Sequence, residues 1–142
     1  MNFARILSTT VMTFFLSATA LAGKKEVPHS VEGTVKVSAE EVIELAESKP
    51  DLVIVDARKP SDYQKGHLEG AVNLPNTETT PESLAKVVGG KATPVLFYCN
   101  GIKCGRSVDA SKKALAAGYT NIYWFRGGVE EWQAKGYPLA KD

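Results

Sequence analysis

Short apolar runs alternate with amphipathic stretches along most of this chain. Val35-Lys36-Val37 reads as a short strand. Ser38 followed by Glu41 makes a capping-box pattern, in which the serine accepts a helix N–H and the glutamate reaches back to the cap. Val42, Leu45 and Ala46 follow at helical spacing, so a helix is predicted over Ala39–Ser48, stopped by Pro50-Asp51. Leu52-Val53-Ile54-Val55 is continuously apolar and β-branched, as expected of a strand covered on both faces. Charge then appears abruptly at Asp56-Ala57-Arg58. One helical turn is expected over Ser61–Lys65 and a strand over Ala71–Leu74, closed by Pro75. Thr80-Pro81 pairs an N-cap with a first-turn proline, which predicts a helix over Pro81–Val88 ended by Gly89-Gly90. Val95–Tyr98 reads as a third buried strand, Ser107–Ala117 as a helix capped by Gly118, and Ile122–Phe125 as the final strand. Gly127-Gly128 opens a last helix through Trp132.

Strands that alternate with helices in this way imply a mostly parallel α/β sheet with helices on both faces. In such folds the ligand lies beyond the carboxyl ends of the strands. Both cysteines of the chain, Cys99 and Cys104, fall in the loop after one of those ends.

The first residues break the pattern. Arg5 is the only charge before Lys24, and Val11-Met12-Thr13-Phe14-Phe15-Leu16 forms an apolar centre ending in Ala20-Leu21-Ala22. That is the layout of a signal peptide with a small-x-small cleavage site, so residues 1–22 are expected to be removed on export. A permanent anchor fits less well, because Ser8, Thr9, Thr10, Thr13, Ser17 and Thr19 interrupt the stretch. Residues 23–33 are polar, contain Pro28 and have no periodicity, and read as a lead-in segment. The expected location is periplasmic or secreted, which places both thiols in an oxidising compartment.

Composition narrows the function classes. The 142 residues hold 17 basic and 16 acidic side chains, a net charge of +1, and losing Arg5 with the leader leaves the remainder neutral. A neutral domain has no basic excess to neutralise phosphates, so no nucleic-acid partner is expected, nor a membrane partner once the leader is cut. His29 and His67 are the only histidines and neither stands at ligand spacing from the thiols, so no metal site is expected. His67 reads as a turn residue bonded to backbone. Phosphate-loop and dinucleotide fingerprints are absent.

The chemistry concentrates in Cys99-Asn100-Gly101-Ile102-Lys103-Cys104-Gly105-Arg106, which joins a buried strand to a helix start. Loop amides facing the Cys99 sulfur, the helix dipole, and the charges of Lys103 and Arg106 would all favour the thiolate. Gly101 and Gly105 would permit the backbone angles of such a cradle. The competing reading is a structural Cys99–Cys104 cystine. Against it, so small a ring gains little loop-closure entropy.

Three segments resemble the single-domain rhodanese-like sulfurtransferases. The first is Asp56-Ala57-Arg58 with the run from Asp62 through Gly66-His67-Leu68-Glu69-Gly70-Ala71 to Pro75. The second is Tyr98-Cys99 with its loop and following helix. The third runs from Gly118-Tyr119 through Arg126-Gly127-Gly128 to Trp132 and Gly136-Tyr137-Pro138. The resemblance spans residues 34–139 and implies a rhodanese-like domain over 34–142, built on an open five-stranded parallel sheet. It further implies that Cys99 takes a sulfane sulfur from a donor such as thiosulfate or polysulfide, becomes a persulfide, and passes the sulfur to cyanide or a thiol. No cofactor is implied, since convergent N–H groups suffice to hold the anion.

Many members of that family carry an arginine five positions after the nucleophile; here Cys104 stands there. Lys103 and Arg106 flank it as electrostatic substitutes, and Cys104 becomes a candidate resolving thiol. The related phosphatases need an arginine six residues after the cysteine, where this chain has Gly105, and a histidine before it, where this chain has Tyr98. Asp56 and Arg58 are candidate supporting residues, as a charged rim that orients the active loop. Their simplest reading is structural, with Arg58 forked onto Asp62 or a loop carbonyl. Trp124 and Trp132 are expected as core or helix-packing residues rather than a substrate cage. Two alternatives stand beside sulfur transfer: a thiol–disulfide protein using the Cys99/Cys104 pair, and a non-catalytic sulfur carrier.

Overall fold

Ser38 opens the first helix as its pattern requires: its hydroxyl accepts the Glu41 N–H while the Glu41 carboxylate accepts the Ser38 N–H. A computed structural model describes residues 26–142; the expected leader, residues 1–22, lies outside the described residues. The chain runs β1 (Thr34–Lys36), α1 (Ala39–Ser48), β2 (Val53–Asp56), α2 (Pro60–Lys65), β3 (Val72–Asn73), a 3-10 turn (Asn76–Glu78), α3 (Pro81–Val87), β4 (Val95–Tyr98), α4 (Arg106–Ala116), β5 (Ile122–Phe125) and α5 (Gly128–Ala134). Every element expected from the pattern is present, within a residue or two at its ends. The 3-10 turn after Pro75 is an addition, and it begins at Asn76.

All five strands are parallel, in the order β1-β5-β4-β2-β3. The side-chain alternation of the strands divides the core in two. Val55, Val95, Phe97 and Ile122 pack with Leu84 and Val88 of the α3 region and with Ala110 and Ala114 of α4. Leu96, Tyr98 and Phe125 point the other way, toward Ala39 and Val42 of α1, Leu68, and Val129 of α5. Strand β4, at the sheet's centre, is fully buried over its whole length. That burial explains why its sequence is an uninterrupted apolar run rather than an alternating one. Trp124 is core as expected, its indole N–H donating to Ser107 Oγ at 2.9 Å.

The lead-in segment is less detached than its polarity implied. Val31 is buried and Val27 packs beside it against Trp124. The Pro28 carbonyl accepts from Arg126 Nε at 2.9 Å, and the His29 carbonyl from Lys36 Nζ at 3.0 Å. Val27 and Val31, four apart, thus help seat an otherwise polar segment against Trp124 and Val108.

Candidate functional site: the Cys99 loop

Strand β4 delivers Cys99 to the carboxyl edge of the sheet, and α4 begins at Arg106. Between them the loop turns back on itself through a 3.0 Å bond from the Cys104 N–H to the Gly101 carbonyl. This turn sets the two cysteine Cα atoms 6.2 Å apart, and their sulfurs are bonded. A Cα separation in this range is ordinary for a cystine. Cys99 is 1% exposed and Cys104 half-buried.

This geometry corrects the expectation of an open thiolate ringed by loop amides. In the bonded state the Cys99 sulfur is capped by Cys104 and shut off from solvent. The Cys104 amide is spent on closing the turn. Nor do Gly101 and Gly105 serve the backbone in the expected way, since neither adopts a positive φ. Gly101 instead leaves room for the Glu130 carboxylate, which lies where a Cβ would stand.

The loop is held from the side by α5. The Val129 N–H donates to the Cys99 carbonyl at 3.1 Å and the Glu130 N–H to the Asn100 carbonyl at 2.8 Å. The approach is possible because position 128 is glycine: its φ is +55°, and a Cβ there would strike the Cys99 carbonyl. These contacts were missed from sequence. The only signal for them was the Gly127-Gly128 pair, read as a helix start.

Arg106, expected to charge the thiol's surroundings, is engaged by the 3-10 turn: its Nη1 donates to Asn76 Oδ1 at 2.7 Å. Asn76 also donates to Asp109 at 2.9 Å, and its carbonyl accepts from Lys113 at 2.7 Å, so the 3-10 turn clamps one side of α4. Lys103 and Ile102 are exposed at the loop's tip. Ile102 borders a cleft of about 300 Å³ between the ends of β1 and β5, lined also by Lys36, Ser38, Arg126 and Glu131.

Arg58 is structural as expected, and it reaches a loop carbonyl, but its carboxylate partner is Asp56 and not Asp62. Arg58 Nη2 lies 2.6 Å from Asp56 Oδ2 and also donates to the Gly66 carbonyl at 2.7 Å. Both side chains are buried, so neither forms a charged rim. The pair is completed by Tyr98, whose hydroxyl donates to Asp56 Oδ2 at 2.6 Å and accepts the Leu68 N–H at 3.1 Å. Burial, reinforced by the neighbouring Asp56 charge, pushes the Tyr98 phenol far above its ordinary range. Burial works against the Arg58 cation, but the Asp56 contacts outweigh it and raise its pKa further. The network touches the cysteine loop through Arg58 Nη1, 3.5 Å from Asn100 Oδ1. His67 is bonded to backbone as expected, with Nδ1 3.1 Å from the Tyr63 carbonyl, but it sits in an antiparallel bridge with Ala140 rather than in a turn; its Nε2 also sits 3.3 Å from an Asp142 oxygen.

A parallel sheet with a cysteine in a short loop at the carboxyl end of its central strand, next to a helix start, defines an open α/β domain whose cysteine stands where such folds bind ligands. The rhodanese-like domain family matches residues 38–135, and the chain belongs to that family. It is 30% identical over 95 residues to YibN of Escherichia coli strain K12, covering 66% of this chain and 64% of that protein, so it spans just under two thirds of that relative. Among solved structures, a thiosulfate sulfurtransferase from Pseudomonas aeruginosa superposes with a TM-score of 0.66 at 25% identity, over 76% of this chain and 20% of that one. A polysulfide-sulfur transferase from Wolinella succinogenes shares the fold with a TM-score of 0.63 at 23% identity, over 78% of this chain and 80% of that one. Both of these structural neighbours are sulfur transferases.

Proposed function

We propose that this protein is an exported sulfurtransferase working through Cys99. The observation that carries this reading is the placement of Cys99. It is the first residue after the central strand, its carbonyl is pinned by the Val129 amide, and the start of α4 follows the loop. In the reduced protein, opening the bond to Cys104 uncaps the Cys99 sulfur as a thiolate. That thiolate attacks the outer sulfur of thiosulfate or a polysulfide, expels sulfite or a shortened polysulfide, and becomes a persulfide. Cyanide or a thiol acceptor then takes the outer sulfur and returns the thiolate.

The test is the intact mass of the reduced protein after thiosulfate or polysulfide. One added sulfur, mapped to Cys99 and absent in Cys99→Ser, is the expected result. A reduced chain that never gains sulfur sinks the reading. A second reading, thiol–disulfide exchange, is favoured by the Cys99–Cys104 bond itself. It predicts loss of two hydrogens across the pair with no sulfur gained.

A further inference from the structure

The cystine raises a question that sulfur transfer alone does not answer. A bond across a six-residue loop restrains little of the unfolded chain, so stability is a weak reason for it. Its chemistry is asymmetric. Cys99 is 1% exposed, while Cys104 keeps part of its surface in solvent. The Gly101–Cys104 turn and the α5 amides on the Cys99 and Asn100 carbonyls hold the two residues at bonding separation.

We infer that Cys104 is a second catalytic residue that makes the transfer reductive, discharging the Cys99 persulfide as hydrosulfide. The inference rests on the Cys99 reading above. The Cys104 thiolate attacks the inner sulfur of the persulfide, which is the Cys99 Sγ. The Cys104–Cys99 bond forms, and the bond from Cys99 Sγ to the outer sulfur breaks. The outer sulfur leaves with the electron pair and takes up the proton that Cys104 released. It is reduced by two electrons, and the two cysteines are oxidised by two.

The state with the sulfurs bonded is therefore the product of a turnover. A dithiol reductant resets it. Its first thiolate attacks the sulfur of Cys104, the partner that keeps part of its surface in solvent, forming a mixed disulfide and expelling Cys99 as the thiolate, ready for the next donor. Its second thiol then displaces Cys104 and leaves the reductant as a disulfide. The net reaction converts a sulfane sulfur and a dithiol into hydrosulfide and a disulfide.

The experiment charges reduced, reductant-free protein with a polysulfide in the absence of oxygen, then follows intact mass and released sulfide together. The expected wild-type course is a one-sulfur adduct that decays to a chain two hydrogens lighter than the reduced form, with one sulfide released per chain. Cys104→Ser and Cys104→Ala should keep the adduct, with sulfide release at least about 100-fold slower, because the intramolecular thiol is gone. If the wild-type adduct is as long-lived as that of the variants, the inference is overturned and sulfur transfer stands. If neither wild type nor variants gain sulfur, the transfer reading falls and this one with it. A second measurement treats the oxidised protein with excess glutathione while iodoacetamide traps the thiolate set free. Glutathione should map to Cys104 and the alkyl group to Cys99, and the reverse pattern would overturn the proposed reset.

Discussion

Tyr98 Oη donates a 2.6 Å hydrogen bond to Asp56 Oδ2, across a pair of adjacent strands in which the two residues are register partners. Parallel register puts both side chains on one face of the sheet, one residue before the Cys99 loop on β4 and two before Arg58 on β2. The carboxylate thereby gains the phenol, the Arg58 guanidinium and the Arg58 backbone N–H, which donates to Oδ1 at 2.9 Å. Among the described residues no buried side-chain nitrogen or oxygen lacks a partner, so the network is complete.

Removing one member strands the rest. Asp56→Ala leaves a buried guanidinium without its carboxylate, a loss of about 3–5 kcal/mol in such sites. Urea denaturation should show a large drop in midpoint for Asp56→Ala. Arg58→Met with Asp56→Leu together should recover much of it, because neither charge is then left alone. A double variant no more stable than the single one would refute the account.

Tyr98→Phe should cost about 1–3 kcal/mol, since the Leu68 N–H and an Asp56 oxygen each lose a partner. The pH dependence carries the sharper signature. The folded phenol titrates above the ordinary tyrosine value of about 10, so the fold favours the protonated form. Its contribution is complete below pH ~10 and is lost as pH rises from the unfolded pKa toward the folded one. Stability measured across that alkaline range should fall less steeply in Tyr98→Phe than in wild type.

Gly128 makes a test of the loop's support. Alanine there meets both a positive φ and the Cys99 carbonyl. The conformational term alone is about 1–3 kcal/mol, and the collision pushes the loop from its seat on α5. Gly128→Ala should therefore lose sulfur loading on Cys99 even at temperatures where circular dichroism reports it folded. Undiminished loading would show that the α5 contact does not position the cysteine.

Reduction of the Cys99–Cys104 bond should change stability modestly. The chain-entropy relation for a loop this short gives about 2 kcal/mol. Thermal melts with and without dithiothreitol should differ by only several degrees, and the Cys99→Ala/Cys104→Ala double variant should follow the reduced protein. A reduced protein that is unfolded at room temperature would make the bond structural after all.

The element order, the parallel α/β class and the position of Cys99 at a strand's end could all be read from the chain alone, because each depends on local pattern. Caps at Ser38 and Thr80 and the apolar run of β4 act over a few residues, and those interactions survive in any fold that uses them. The partners of Asp56, Asn76 and Gly128 could not be read that way. Asp56 finds a tyrosine 42 residues away, Asn76 finds Arg106, and Gly128 meets a carbonyl 29 positions earlier. Only the packing of β4 between β2 and β5, with α5 laid against the loop, brings these groups within bonding distance. The same holds for the thiols. Sequence placed two sulfurs in one loop, but whether they face solvent or each other was decided by a single turn and the helix that holds it.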